Sequence, residues 1–174
     1  LPTFRPSEVK FFEVCDLAEC NAYLKANDMM LVCKLHPKSA CKETFEKIKY
    51  SNIYIVPANV DVNCFLGRLD LLIADYSSVY SDYMLLDRPV VAFHYDYEEY
   101  SKDTREGYFD FEEYMPEIKA HNLQELEECI LQVLQRDMAR EKRNAFRGKL
   151  YKNIDGRSAY RLVKEIKRIL IMKL

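Results

Sequence analysis

Short runs rich in apolar residues alternate with stretches of helical periodicity along most of the chain. Residues 29–35, 52–56, 71–74 and 90–93 form such runs without polar alternation, as strands buried on both faces do. Between these runs, apolar residues recur every three or four positions, which is typical of amphipathic helices. The alternation of strand and helix predicts an α/β fold with a Rossmann-like, doubly wound parallel sheet.

The same pattern predicts five helices outside the central segment. Ser7 is expected to cap the first helix, and Asn122 to begin the most strongly amphipathic one. The others begin near Ser39, cover residues 137–152, and follow Gly156. The helices after residue 135 therefore predict a helical C-terminal tail.

The stretch 94–116 breaks this periodicity. It contains seven tyrosine and phenylalanine residues together with many acidic ones. So many aromatic residues argue against disorder, and a long connection without clear secondary structure is usually functional. We therefore expect an ordered loop that lines a cleft.

The central segment 71–93 reads as strand, polar turn, helix and strand. The turn contains Ser77 and Ser78, and the helix ends before Pro89, because proline disfavours helical geometry in the preceding residue. The two serines thus lie at a helix start, at the carboxyl end of a parallel strand, where open α/β sheets bind ligands. Backbone N–H groups at a helix start favour an anion. The simpler alternative is that one serine only caps the helix.

Other polar residues could complete an anion site. The chain has four glycines and no glycine-rich phosphate loop, so hydroxyl groups would have to hold a phosphate. His36 ends a predicted strand, and its imidazole could donate to a phosphate oxygen. Asp82 could contact a ribose hydroxyl, and Arg5 and Arg105 could pair with phosphate. A structural histidine or a surface ion pair is the alternative for each.

Composition limits the class of protein. The 174 residues are 49% hydrophobic and 31% charged, which is typical of a globular domain, and no apolar run approaches the ~20 residues that cross a bilayer. The six cysteines are scattered without metal-ligand spacing, so we expect reduced thiols in a cytoplasmic protein. Neither a metal nor another cofactor is expected.

Charge is unevenly distributed along the chain. Acidic residues dominate 95–128, whereas lysine and arginine dominate 140–174. That basic segment could contact anionic lipid head groups or a polyphosphate, although a solvated helix face is the more ordinary explanation. Nucleic-acid binding is not expected, because no known module is present and the net charge is −2. The abrupt start without methionine suggests a fragment of a longer protein.

Five motifs in order carry a family resemblance. They resemble those of the CDP-glycerol glycerophosphotransferases, the enzymes of teichoic acid and some capsule syntheses. The motifs lie at residues 1–5, 34–37, 73–82, 86–89 and 105–111. Near the last motif the family tends to have Arg-Gly-Phe-Tyr, followed later by Pro-Gly. This sequence departs from both patterns, because Glu106 separates Arg105 from Gly107 and Glu117 follows Pro116.

The resemblance implies a GT-B-type architecture with two Rossmann-like domains facing a cleft. This chain would be the C-terminal, donor-binding half, with residues 1–135 as the nucleotide-binding domain and 136–174 as a helical extension packed on it. The N-terminal acceptor domain, which carries the proposed catalytic base, would lie outside the chain. Peripheral contact with the inner face of the cell membrane is an expectation from the family and the basic segment.

The resemblance also implies roles for individual residues. His36, as the catalytic residue, would bind the donor pyrophosphate together with Ser77 and Ser78. Asp82 matches the acidic residue that follows the serines. Three further substrate-binding positions are implied at Thr3, Arg5 and Arg105.

The implied substrates are CDP-glycerol, or a related CDP-alcohol, and a polyol-phosphate or lipid-linked acceptor. The acceptor hydroxyl would attack the phosphorus that carries the glycerol, and CMP would leave. Two alternatives are a GT-B glycosyltransferase or sialyltransferase that uses a nucleotide sugar, and a non-catalytic interaction domain.

Overall fold

The computed structural model describes residues 9–35, 47, 49–103 and 109–171. Its five strands are β1 (Leu31–Cys33), β2 (Ile53–Ile55), β3 (Leu72–Ala74), β4 (Val90–Phe93) and β5 (Ile118–Ala120). The first four helices are α1 (Val9–Val14), α2 (Leu17–Ala26), α3 (Val79–Met84) and α4 (Tyr97–Asp103). The next four are α5 (Phe111–Tyr114), α6 (Leu123–Gln135), α7 (Arg140–Leu150) and α8 (Ser158–Ile171). Two short 3-10 helices, Val62–Cys64 and Leu66–Arg68, lead into β3.

All strand pairs in the described residues are parallel, which confirms the α/β prediction. Strands β1 and β2 form one sheet, and β3, β4 and β5 form a second in that order. A cavity of about 760 Å³ separates β1 from β3 and is lined mainly by apolar side chains of both strands and of α2 and α6. The parallel strands are therefore divided between two sheets rather than joined in one.

Helices cover both faces of the three-stranded sheet. Successive residues of a strand point to opposite faces, so each face contributes to a separate core. On one face, Leu72, Ala74, Val90 and Ala92 pack with Tyr80, Tyr83, Met84 and Phe146 of α3 and α7. On the other, Val91, Phe93 and Ala120 pack with Leu126, Cys129, Ile130 and Val133 of α6. This arrangement is the doubly wound architecture that the apolar runs predict.

Helix α6 begins where the sequence predicts. The Asn122 side chain caps it by accepting a hydrogen bond of 3.0 Å from the backbone N–H of Glu125. Such a cap satisfies one of the backbone donors that have no partner within the helix. The buried face of α6 then follows the predicted spacing.

The helix expected after Ser7 is divided into α1 and α2. Asp16 interrupts it, because its carboxylate accepts hydrogen bonds from the backbone N–H groups of Ala18 at 2.8 Å and Glu19 at 3.1 Å. An aspartate in this position begins a new helix instead of continuing the old one. Ser7, and the helix predicted from Ser39, lie outside the described residues.

The expectation of a single loop over 94–116 is wrong. The described part of this stretch contains α4 and α5, and Asp110 caps α5 by accepting from the N–H of Glu113 at 3.0 Å. Strand β5 follows at once and was not predicted, since three residues are too few to display a period. None of the described helices is long and apolar enough to cross a membrane.

Candidate functional site

The serine turn, residues 75–78, follows β3 directly and leads into α3. The backbone N–H of Ser77 donates to the buried Asp75 carboxylate at 3.1 Å. The Ser77 and Ser78 carbonyls accept from the N–H groups of Tyr80 and Ser81 at 3.1 and 3.0 Å. Asp75 thus holds the turn from the strand side, while the two serines open the helix.

The serine hydroxyls contribute little to capping. Ser78 occupies the N-cap position of α3 with helical backbone angles and makes no side-chain capping hydrogen bond. The Ser77 Oγ accepts from the Val79 N–H at 3.5 Å, which is at the limit of a hydrogen bond. Ser77 is half-buried and Ser78 is exposed. A conventional cap is therefore not what these two side chains provide.

An aromatic cluster (Tyr76, His94, Tyr97, Tyr100 and Phe111) lies beside the serine turn. The Tyr76 ring stacks on Tyr100 with ring centroids 3.9 Å apart, and on His94 at 4.9 Å. The His94 ring also stacks on Tyr97 at 5.6 Å and contacts Phe111. Rings that follow β3 and β4 are thereby joined to rings from α4 and α5, so these two helices pack against the serine turn.

His94 is neutral near pH 7 in this cluster. It is 3% exposed, and burial, reinforced by the positive charge of Lys119, lowers its pKa to about 4. The signal for its position is the register: Ala92 pairs with Ala74, so His94 and Tyr76 follow at matching positions on neighbouring strands.

A buried polar network joins α3 to α7 and was not predicted. The Tyr80 hydroxyl donates to Glu117 Oε1 at 2.9 Å, and Arg143 Nη1 donates to both Glu117 oxygens at 3.0 and 2.9 Å. Arg143 also forms an ion pair with Asp137. The side chains of Arg143 and Glu117 are 0% and 1% exposed. Charged residues separated by 26 positions carry no periodic signal that sequence analysis could detect.

Burial and charge act against each other at Glu117. Burial raises the pKa of its carboxyl group, whereas the Arg143 guanidinium and the Tyr80 hydroxyl act to lower it. Burial also raises the pKa of Tyr80 well above its usual range, and the Glu117 carboxylate adds to this effect. Tyr80 therefore remains a hydrogen-bond donor throughout the neutral pH range.

Three of the predicted site residues are described. Ser77, Ser78 and Asp82 lie on one segment, with Asp82 exposed one turn into α3. Thr3, Arg5, His36 and Arg105 lie outside the described residues.

The carboxyl ends of β1 and β3 border a common space. Cys33 at the end of β1 and Asp75 after β3 both line the cavity between the two sheets. Lys34 follows β1 directly and is buried, and its Nζ donates to the carbonyls of Pro57 and Ala58 at 2.9 Å each. The Lys34 ammonium group is thus bound by backbone carbonyl groups of the protein itself. No group of three or more His, Cys, Asp or Glu side chains in the described ranges could hold a metal ion.

Comparison with known proteins identifies the family. The family model for CDP-Glycerol:Poly(glycerophosphate) glycerophosphotransferase matches residues 1–168. The teichoic acid ribitol-phosphate polymerase TarK of Staphylococcus aureus is 29% identical over 172 residues, which are 96% of this chain and 33% of that protein. The teichoic acid poly(glycerol phosphate) polymerase of Bacillus subtilis is 33% identical over 108 residues, covering 62% of this chain and 14% of that protein.

Solved structures share the fold. One structure of the wall teichoic acid polymerase TagF matches with a TM-score of 0.74 at 23% identity, covering 99% of this chain and 43% of that one. A TagF variant soaked with CDPG matches with a TM-score of 0.70 at 24% identity, covering 99% and 41%. The chain spans about a third of the curated relatives that it matches along most of its length. It belongs to the CDP-glycerol:poly(glycerophosphate) glycerophosphotransferase family.

Proposed function

We propose that this chain binds the donor in a transferase that moves a polyol phosphate from a CDP-alcohol to an acceptor hydroxyl. The observation that carries the proposal is the serine turn. In this turn, at the carboxyl end of a parallel strand, Ser78 is exposed and its hydroxyl makes no capping hydrogen bond. The chain that carries it belongs to this family. Relatives named for ribitol phosphate and for glycerol phosphate make both CDP-ribitol and CDP-glycerol candidate donors.

The reaction is a displacement at phosphorus. The acceptor oxygen forms a bond to the phosphorus that carries the polyol, the bond from that phosphorus to the CMP oxygen breaks, and CMP leaves with the electron pair. The acceptor proton passes to a base that we expect outside this chain. The Ser77 and Ser78 hydroxyls would stabilise the pyrophosphate charge by hydrogen bonding, so catalysis would consist mostly of positioning and electrostatics.

Further residues are proposed for the same site on family resemblance. His36 would act as the catalytic residue by donating to the phosphate of the departing CMP. Thr3, Arg5 and Arg105 would bind phosphate oxygens, and Asp82 would bind a ribose hydroxyl. No metal or other cofactor enters the proposal, since hydroxyls, backbone N–H groups and cationic side chains can balance the charge.

We also propose a division of the protein. Residues 1–135 would form the nucleotide-binding domain and 136–174 its helical extension, in a GT-B arrangement whose N-terminal acceptor domain lies outside this chain. The coverage of about a third of the relatives supports a larger protein. The acceptor would be a teichoic acid or capsule polymer, or its lipid-linked precursor, at the cytoplasmic face of the membrane.

Calorimetric titration of the chain tests donor binding directly. CDP-ribitol, CDP-glycerol and CDP are compared with UDP and CMP-sialic acid. We expect the CDP ligands to bind preferentially, and the double variant Ser77→Ala/Ser78→Ala to weaken binding about tenfold or more, because two hydrogen bonds to charged oxygens are lost. Ser51→Ala, which removes an exposed serine hydroxyl elsewhere, is the control.

Other outcomes separate the alternatives. Preference for UDP or CMP-sialic acid would favour a nucleotide-sugar glycosyltransferase or a sialyltransferase. Absence of binding by every nucleotide at millimolar concentration would contradict donor binding by this chain and favour an interaction domain. The stacking of Tyr97 and Tyr100 around Tyr76 is the feature that such a domain would use.

Peripheral membrane contact is a second proposal, and α8 supports it. Its apolar residues Leu162, Val163, Ile166, Ile169 and Leu170 share one side and are all exposed. The other side carries Arg161, Lys164, Lys167 and Arg168 against a single acid, Glu165. A helix with an apolar face and a cationic face is typical of binding at an anionic lipid surface.

Co-sedimentation with lipid vesicles tests this contact. We expect binding to phosphatidylglycerol–phosphatidylcholine vesicles but not to phosphatidylcholine alone, and Ile166→Glu should abolish it. Leu131→Glu, at an exposed apolar position on α6, is the control. Equal sedimentation of the wild type and Ile166→Glu would contradict the proposal, and dimerisation abolished by Ile166→Glu would instead assign the face to a second copy of the chain.

A further inference from the structure

We infer that Tyr80, Glu117 and Arg143 are positioning residues. Their buried hydrogen bonds set the orientation of α3 and, through it, of the serine turn. The inference rests on the proposed function, since it deepens the account of the same site. Its basis is the direct chain of contacts from α7 through Glu117 to the first turn of α3, two residues beyond Ser78.

Helix α3 cannot hold its own orientation. It has six residues, fewer than two turns, and its N-cap residue makes no side-chain capping bond. Isolated helices shorter than about 12 residues are marginal in water, so packing must supply what the local sequence does not. The direction of the serine hydroxyls therefore depends on the contacts that the buried side of this helix makes.

The hydrogen bond of the Tyr80 hydroxyl restricts the orientation of α3. Apolar contacts between α3 and the sheet resist separation but allow small rotations, because dispersion attraction has no preferred direction. A hydrogen bond of 2.9 Å to a carboxylate is sensitive to both distance and angle. Tyr80 is fully buried and lies in the first turn, so its bond constrains the helix end that carries the serines.

Arg143 holds the acceptor of that bond in place. Its Nη1 donates to both oxygens of Glu117, and its other end pairs with Asp137, so the carboxylate is held between α3 and α7. Such a buried ion pair is a costly way to stabilise a core, because apolar residues of similar size often stabilise as well or better. A requirement for fixed geometry gives this network a reason that stability alone does not.

Polar contacts also hold other residues of α3. The Ser81 Oγ and the Tyr114 hydroxyl share a hydrogen bond of 2.7 Å, and the Tyr151 hydroxyl donates to the Ser81 carbonyl at 3.1 Å. Arg147 donates to the Met84 carbonyl at 3.3 Å. The Arg147 contact holds the distal end of α3, whereas the Tyr80 bond acts two residues beyond Ser78, at the end that carries the serine turn.

The chain supplies a matched control in Tyr83. It lies in the same helix, is equally buried, and its hydroxyl donates one hydrogen bond of 2.9 Å, to the Leu69 carbonyl. It belongs to a different set of contacts and lies one turn farther from the serines. Tyr80→Phe and Tyr83→Phe therefore remove the same atom and one hydrogen bond each, to a carboxylate and to a carbonyl, but only the first frees the end of α3 that carries the serine turn.

The experiment compares the two variants of the 174-residue chain by three measurements. The melting temperature should fall in both variants, and further in Tyr80→Phe, because its lost bond was to a buried carboxylate. Amide hydrogen exchange at residues 77–81 should accelerate in Tyr80→Phe and not in Tyr83→Phe. The dissociation constant for CDP should rise about fivefold in Tyr80→Phe, the equivalent of one hydrogen bond, and stay within about twofold in Tyr83→Phe.

Variants at Glu117 complete the test. Glu117→Gln keeps an oxygen that can accept from Tyr80 and should retain CDP affinity within about twofold at temperatures where it is folded, whereas Glu117→Ala should match Tyr80→Phe. Equal exchange and equal CDP affinity in Tyr80→Phe and Tyr83→Phe would overturn the inference. If the wild type does not bind CDP, the proposed function fails, and the exchange comparison alone decides whether Tyr80 positions the turn.

Discussion

Helices α7 and α8 are both basic and amphipathic, yet only α7 is packed against the sheet domain. Arg143 and Phe146 of α7 are 0% and 2% exposed, whereas α8 has no buried residue. The apolar stripe of α8 is nevertheless the longer and cleaner of the two. The helix with the weaker hydrophobic pattern is thus the one that the described core includes.

Polar contacts explain the difference. Along α7, Arg140 pairs with Asp87, Arg143 with Glu117, and Arg147 donates to the Met84 carbonyl, so one arginine per turn binds the region around α3. The ion pairs of α8 within the described residues are local, between Arg161 and Asp155 and between Arg168 and Glu165. A charged helix face is therefore not sufficient evidence that the face is exposed to solvent, because its charges can have partners within the protein.

The largest effect is expected from removing the central arginine of α7. Arg143→Met leaves the buried Glu117 without its cation and removes the partner of the half-buried Asp137, and breaking such a buried pair costs about 3 to 5 kcal/mol of the free energy of unfolding. Urea denaturation measures the loss. The matched control is Arg161→Met on α8, which also removes an arginine paired with an aspartate but should leave stability unchanged. Similar losses in both variants would remove the distinction between the helices.

Apolar truncation should separate the helices in the same direction. Phe146→Ala removes a ring that contacts Phe109 at 5.2 Å and Tyr114 at 5.6 Å, and a buried phenylalanine is worth about 3 kcal/mol or more. Ile166→Ala on α8 removes an exposed side chain and should change stability by less than about 0.5 kcal/mol. A large loss from Ile166→Ala in the same denaturation assay would mean that the α8 stripe is covered in solution.

The two described histidines extend the contrast between buried and exposed bases. Burial lowers the pKa of His94 to about 4, below the value of about 6.5 in an unfolded chain. Between these pH values the unfolded state binds more protons than the folded state. The free energy of unfolding therefore falls as the pH falls from about 6.5 to about 4, by on the order of 3 kcal/mol in total.

Substitution isolates this pH dependence from that of the carboxylates. His94→Phe keeps an aromatic ring in the cluster but cannot be protonated, so the difference in stability between this variant and the wild type should grow in its favour as the pH falls. His121→Phe is the control, because His121 is exposed and contacts Glu125 at the start of α6. Parallel pH profiles of His94→Phe and the wild type would show that His94 is already hydrated.

The smallest effect on stability is expected from the exposed ion pair between Arg140, at the start of α7, and Asp87. The Arg140 guanidinium donates to Asp87 at 2.7 Å, and this contact lowers the pKa of the Asp87 carboxyl group, but the Arg140 side chain is 61% exposed. Water and salt screen such a pair, so Arg140→Gln should lower the melting temperature only slightly. High salt should erase the difference from the wild type, whereas the loss in Arg143→Met should persist.

Much of the fold was predictable from local pattern. The strand predicted at 90–93 coincides with β4, Asn122 caps α6, and α3 ends before Pro89 as expected. The turn that ends α3 places Asp87 at a positive φ of 53°, a conformation that aspartate tolerates better than most residues. These features depend on neighbours within a few residues, which a sequence displays directly.

The candidate site was predictable only in part. The serines were identified because a strand, a polar turn and a helix follow one another along the chain. The aromatic cluster and the Tyr80–Glu117–Arg143 network were missed, because their members come from segments that meet only in space. Helical periodicity places Arg143 on the same face of α7 as Ala139 and Phe146, but an arginine is almost never fully buried without partners, and those partners come from other segments.

The sequence by itself determined the class of fold, the position of the serine turn and the family, because apolar periodicity and short motifs are local and survive without coordinates. Only the tertiary structure decided which amphipathic helix is packed, that His94 is buried and neutral, and that α3 is held by a buried carboxylate. Those outcomes depend on charge pairing and desolvation between distant segments, and the free energies of both depend on distances that no single stretch of sequence contains.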